Sequence, residues 1–326
     1  EILEEQGLKL DKAGFDQAMT EQRERARAAR HEADAAVSIP DLSGLASQKL
    51  TVDYSATAAT VVCMFREGRI VEETRDGEEV AVILDVTSFY AEGGGQVGDN
   101  GVLTGPLGKL EVVTTRKLPD GTVYHLGTVT EGFLKQGDKV QLELGQERKA
   151  AITRNHTATH LLHAALRETL GSHVNQAGSY VGPDRLRFDF SHFAAMSPQE
   201  LATVEQAVNR SILINASIGV LETSQEMAKQ MGAMALFGEK YGEKVRVVVV
   251  GDISKELCGG THVAATGEIG LFKIVAESSI GSGLRRIEAV TGLAALDYAN
   301  QREAMLEAAA QLLKTRPEEL VSRLEQ

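Results

Sequence analysis

Tryptophan is absent from these 326 residues, and only two cysteines, six prolines and a 5% share of aromatic side chains are present. Two cysteines exclude the disulfide framework that staples small secreted domains, and a reducing, cytoplasmic setting is the expectation. One of them, Cys63, sits in the run Thr60-Val-Val-Cys-Met-Phe65 and reads as a small buried filler. No apolar run reaches the ~18 residues that span a bilayer, and no signal-peptide pattern opens the chain, so no membrane partner is expected. Basic charge is also scarce. The 34 Lys and Arg against 46 Asp and Glu leave a net charge of −12, which argues against general, charge-driven nucleic-acid affinity. The deficit is uneven, with 17 acidic and 11 basic side chains over 41–150 but 14 and 13 over 151–290. A local basic face that includes Arg285 and Arg286 therefore stays open. The chain starts at Glu1 without an initiator Met and is expected to be a piece of a longer protein.

What the chain does have is two pairs of metal-type side chains about a hundred residues apart, His156-Thr-Ala-Thr-His160 and Cys258-Gly-Gly-Thr-His262. Each pair places two strong zinc ligands at i and i+4. Leu161, Leu162, Ala165 and Leu166 continue the first pair as an apolar run, which predicts a helix over about 155–170 with both imidazoles on one face. Gly259-Gly260 is poor helix material and predicts a tight loop for the second pair. One thiolate and three imidazoles suit Zn²⁺, one ion per chain, although either pair alone is a common chance pattern. A metalloprotease would carry a general-base Glu beside the first His; Thr157 stands there and disfavours peptide hydrolysis. Thr157, Thr159 and Thr261 read as supporting donors, and His163 as a core or supporting histidine rather than a fifth ligand. His125, His173 and His192 have no partner at ligand spacing.

The rest of the chain divides by texture. Residues 1–40 read as a helical linker, with helix over 1–37 ended by Ser38-Ile-Pro40. Residues 41–150 hold short β-branched runs separated by Asp76-Gly77, Asp120-Gly121 and Gly137-Asp138, the pattern of a small antiparallel β-barrel. Within them Gly93-Gly-Gly-Gln-Val-Gly98 formally matches a dinucleotide fingerprint. Asp99-Asn-Gly101 turns directly after it and Val102 resumes strand character, so a nucleotide site is rejected in favour of a loop built for close backbone approach. Residues 151–291 read as an α+β domain with helices on a mixed or antiparallel sheet. They include a helix that starts on the capping box Ser197-Pro-Gln-Glu200. Residues 292–326 read as the start of a helical, coiled-coil-like arm broken at Pro317.

The words around the candidate ligands are Arg154-Asn-His-Thr-Ala-Thr-His-Leu-Leu-His163 and Glu256-Leu-Cys-Gly-Gly-Thr-His262. With Phe89-Tyr-Ala-Glu-Gly-Gly-Gly-Gln-Val-Gly-Asp99, Met231-Gly-Ala-Met-Ala-Leu-Phe-Gly-Glu-Lys-Tyr241 and Arg285-Arg-Ile-Glu-Ala-Val-Thr291, they resemble, in order, the editing region of alanyl-tRNA synthetase. They also resemble its free-standing relatives that deacylate mischarged tRNA. The resemblance covers the whole chain and departs at Gly93, where relatives often carry Ser. It implies that His156, His160, Cys258 and His262 hold zinc and that Gln176 lies in the editing pocket, with Gln176, Cys258 and His156 carrying the reaction. It implies a partner, the acceptor end of tRNA(Ala) carrying serine or glycine, and hydrolysis of that ester within an ATP-using ligase. An aminoacylation domain would precede residue 1, and an oligomerising, tRNA-binding domain would follow Gln326.

Three alternatives stay open at this level: a free-standing deacylase, a non-catalytic tRNA-docking module with structural zinc, and an unrelated zinc hydrolase. The role of the metal is open too. Three ligands leave a place for an activated water, whereas four close the shell and leave the metal to orient the substrate.

Overall fold

The computed structural model describes Gly14 and residues 38–42, 50–234, 242 and 244–325. Apart from Gly14, the helical lead expected over 1–37 lies outside the described residues, as does 235–241 of the Met231–Tyr241 segment. Among the described residues no helix is long and apolar enough to cross a membrane. The architecture is mixed α+β, with a closed barrel and separate sheets.

Six strands close the barrel in the order Lys139–Leu144, Gly101–Thr104, Gly108–Lys117, Val123–Lys135, Glu79–Leu84, Ala58–Arg66. Every neighbour is antiparallel, and Lys139–Leu144 pairs back onto Ala58–Arg66 through Val140 and Ala59. Closure leaves these six strands without a free edge. Val61, Met64, Val82, Leu103, Leu110 and Leu134 fill the interior. A register shift between Val61 and Cys63 brings Val62 and Cys63 together with Phe65 in a second cluster against Ile83, Leu118 and Tyr124. Both faces of that strand are covered, so its sequence is a continuous apolar run rather than an alternating one. Cys63 is buried there, as its setting in the sequence predicts.

Only Gly145 separates the closing strand from the helix Gln146–Leu170. The apolar spacing predicted this helix from about 155, and it starts well before that. No side-chain cap marks its first turn, and contacts to the barrel set the boundary instead. Arg148 Nη1 donates to the Gly98 carbonyl at 2.7 Å, and Lys149 Nζ donates to Asp99 Oδ2 at 2.6 Å.

A four-stranded antiparallel sheet follows in the order Gln176–Val181, Leu186–Ser191, Leu284–Thr291, Phe272–Gly281. A second sheet holds Ile218–Ser224, Lys244–Val250 and Ser254–Leu257, also antiparallel. The helix Pro198–Leu213 begins on the predicted capping box, with Glu200 N donating to Ser197 Oγ and Ser197 N to Glu200 Oε2. Its stripe Val204, Val208 and Ile212 joins Leu161, Leu162, Leu166, Phe188, Phe190 and Ile287 in one core. Burying each of these side chains contributes about 1.5–3 kcal/mol. The chain then runs into the helix Gly292–Leu312, a 3₁₀ turn at Pro317–Glu319 and the short helix Leu320–Leu324.

Candidate metal centre

Four side chains that are far apart in sequence converge where the long helix meets the end of the second sheet. His156 and His160 point from consecutive turns of Gln146–Leu170. Cys258 follows the strand Ser254–Leu257 directly, and His262 ends the next turn of chain. Arg246 shapes that turn by donating through Nη1 to the carbonyls of Cys258 (2.7 Å) and Gly260 (2.8 Å). One donor atom from each of His156, His160, Cys258 and His262 lies within 4.8 Å of the others. Cys258 Sγ is 3.3 Å from His156 Nε2 and 3.4 Å from His262 Nε2. Tetrahedral zinc with bonds of ~2.0–2.3 Å puts its ligands about 3.3–3.8 Å apart, and the two sulfur–nitrogen separations fall in that range.

The outward nitrogens decide which way each ring faces. Thr157 Oγ1 donates to the Thr153 carbonyl at 2.9 Å, which leaves it only acceptor capacity for His262 Nδ1 at 3.2 Å. His262 therefore carries its proton on Nδ1 and turns Nε2 to the centre. His156 Nδ1 lies 2.6 Å from Gln96 Oε1. His160 Nδ1 lies 3.2 Å from Glu256 Oε2, at ion-pair distance but without hydrogen-bond alignment. The same carboxylate takes His163 Nδ1 at 3.0 Å and the Ser254 hydroxyl at 3.1 Å. His163, expected to be a core or supporting histidine, is buried with its Nδ1 on Glu256 and is not among the four clustered donors.

The centre concentrates buried ionisable groups. Burial opposes the Cys258 thiolate, yet the neighbouring His156 charge and the hydrogen bonds from the imidazoles hold its pKa well below the usual thiol value. Burial likewise opposes the Glu256 carboxylate, and the His160 charge overrides it. His160 would be pushed down by burial, but Glu256 and Cys258 raise it to about 9. Burial and the His156 charge drop His262 to about 3. Two buried anions, the Cys258 thiolate and the Glu256 carboxylate, are thus held in place by the imidazoles packed around them.

The centre opens into a cavity of about 180 Å³ whose wall includes His156, His160, Cys258, Gln176, Tyr54 and Lys117. Gln176, on the first strand of the four-stranded sheet, is half-buried there. A larger cavity of about 630 Å³ lies beside the barrel, lined largely by apolar residues such as Ile39, Leu42, Leu84 and Leu118. It holds none of the candidate ligands, and the small cavity is the chemically equipped one. Arg285 and Arg286, candidates for a basic face, make two-pronged ion pairs with Glu277 and Asp189. His173 and His192 pair with each other at 2.9 Å, away from ligand spacing. Sequence reasoning missed Gln96 and Glu256. The glutamine in the glycine run was a legible candidate only after that run had been rejected as a phosphate loop.

Residues 1–148 match tRNA synthetases class II (A), and residues 245–288, which include Cys258 and His262, match the threonyl and alanyl tRNA synthetase second additional domain. The alanine–tRNA ligase of Desulforamulus reducens is 50% identical over 331 residues, covering 100% of this chain and 38% of that protein. That of Geobacillus kaustophilus is 49% identical over 328 residues, covering 100% and 37%, and that of Stenotrophomonas maltophilia 51% over 316, covering 96% and 36%. The chain belongs to the alanyl-tRNA synthetase family. It spans little more than a third of the length of these relatives.

Proposed function

We propose that this region hydrolyses the ester of tRNA(Ala) mischarged with serine or glycine, at a site where His156, His160, Cys258 and His262 hold one zinc ion. The observation that carries the reading is the convergence of those four donors on the wall of a small cavity shared with Gln176. A volume of about 180 Å³ falls below the 300–1,000 Å³ of sites for drug-sized ligands. It suits an aminoacyl group rather than a whole nucleotide.

Such a site answers a discrimination problem. A synthetic pocket for alanine separates it from glycine or serine by only a few kcal/mol, on the order of 10²-fold, and a second hydrolytic site removes the remaining errors. Zinc, when bound, supplies Lewis-acid polarisation and orientation for the aminoacyl group. Gln176 is the group we assign to the substrate, since its amide can donate to the ester carbonyl or accept from the attacking water. His156 has both ring nitrogens engaged and acts, like Cys258, by holding the ion rather than as a base. Water adds to the carbonyl carbon, the bond to the ribose oxygen of the terminal adenosine breaks, and the water proton ends on that oxygen.

Deacylation of seryl-tRNA(Ala) and alanyl-tRNA(Ala) by the chain and by Cys258→Ala tests the reading. Selective loss of serine that the variant fails to reproduce is expected. A zinc-loaded chain that leaves both esters intact sinks it. One observation favours a second reading, a docking module with structural zinc: four protein donors suffice to close a zinc shell. In that case the chain binds tRNA without cleaving the ester, and metal removal unfolds it.

A further inference from the structure

We propose that Gln96, carried by the glycine run of the barrel, is a positioning residue of the metal centre that holds the proton of His156 on Nδ1 and so turns Nε2 to the ion. The proposal rests on the zinc reading above.

The amide of Gln96 is wholly buried, and its side-chain hydrogen bonds lead to His156 and Thr261. Oε1 accepts from the main-chain N–H of Thr261 at 3.0 Å, while Nε2 donates to Thr261 Oγ1 at 2.9 Å. A main-chain N–H only donates, so the atom facing it is the oxygen and the orientation of the amide is settled by its partners. That same oxygen lies 2.6 Å from His156 Nδ1. An acceptor at this distance requires the ring nitrogen to be the donor. His156 then presents Nε2 towards Cys258 Sγ, 3.3 Å away.

The surrounding glycines fit this task. Gln96 reaches the centre because Gly95, at φ +82°, lies against the strand Gln176–Val181, where a Cβ would stand 2.6 Å from the Ser179 carbonyl oxygen. Val97 N donates to the Val181 carbonyl (3.1 Å) and Val181 N to the Gly95 carbonyl (2.8 Å), clamping the loop on both sides of Gln96. Across the contact, a Cβ on Gly260 would collide with the His156 ring and stand 2.8 Å from Gln96 Oε1. Both glycine segments thus make room for one glutamine–imidazole contact between the barrel and the ligand helix.

Outer partners of metal-bound histidines typically affect metal affinity by 10–100-fold. In a zinc competition titration of the chain, Gln96→Leu, which keeps the bulk and loses the acceptor, is expected to weaken binding by that factor. Gln96→Glu, which keeps an acceptor for His156 and Thr261, is expected to stay within a few-fold of the unaltered chain. The cobalt-substituted protein should show an altered ligand-field spectrum for the Leu variant only. A folded Leu variant that binds zinc within twofold of the parent, or a Glu variant as weak as Leu, overturns the proposal. A measurement on the unaltered chain covers the case in which the Leu variant fails to fold. Nitrogen-15 shifts of the His156 ring should show a protonated Nδ1, and an Nδ1 without a proton, or one bound to the metal, overturns the proposal. If the unaltered chain takes up no zinc, the zinc reading falls separately, and the protonation of Nδ1 still decides whether Gln96 orients the ring.

Discussion

His125 in the barrel and His156 and His160 on the ligand helix are all buried, yet they have opposite relations to their surroundings. The barrel satisfies His125 completely. Its Nε2 meets Thr87 Oγ1 at 2.7 Å and its Nδ1 meets the Val82 carbonyl at 3.0 Å, while burial pushes its pKa down to about 4. In the α+β region each ring meets a separate partner through its outer nitrogen, while the inner nitrogens of His156 and His262 share one sulfur, that of Cys258. The first arrangement is complete without a ligand. The second leaves several donors facing a single point, which is chemically costly unless a cation sits there. Burial therefore does not separate a structural histidine from a metal ligand; where its second nitrogen points does.

The largest expected effect breaks the comparison outright. His160→Ala should cut zinc affinity by more than the ~100-fold that outer partners cost, whereas His125→Gln should leave the zinc content of the chain unchanged. Metal analysis of both purified variants checks this, and equal losses would mean the two histidines are not different in kind. Next comes acid. The folded-state pKa of His125 is depressed from 6.5 to about 4, so the unfolded chain binds the extra proton between those values. Its contribution to stability is fully present above pH ~6.5 and is lost as pH falls towards ~4, up to about 3 kcal/mol in all. Denaturant titrations at pH 7 and 4.5 should show this slope, and His125→Gln should remove about one proton from it. The mildest change sharpens the contrast within the centre. Glu256→Gln should weaken zinc binding by about 10–100-fold with His160 still in place, read by chelator competition; an unchanged affinity would reduce Glu256 to a partner of His163 alone.

The parts of the site that could be read from the sequence are the local ones. The spacing of His156 and His160 maps directly onto one helix face, and Gly259-Gly260 announces a tight turn, so both pairs were recognisable before any fold was known. That the pairs meet depends on the packing of the helix beside the strand Ser254–Leu257, which no local signal encodes. Gln96 reaches His156 across 60 residues, and the glycines around it look like any loop. Glu256 looks like an ordinary charged strand residue until the sheet buries it. The start of the ligand helix was hidden for a related reason. Its first turns are held by Gly98 and Asp99 of the barrel rather than by a side-chain cap, and Glu147 alone is a weak sign of the boundary.

The single-residue joint at Gly145 has a mechanical consequence. A helix rises 1.5 Å per residue, so His156 sits about 16 Å along a stiff rod rooted in the barrel wall. A tilt of the root by only about 5° would swing the imidazole by roughly 1.4 Å, and displacements near 1 Å at a reacting centre can cost on the order of 10²-fold in rate. The barrel is in this sense the fulcrum of a lever, and the Lys149–Asp99 bond at 2.6 Å is the brace that holds its angle.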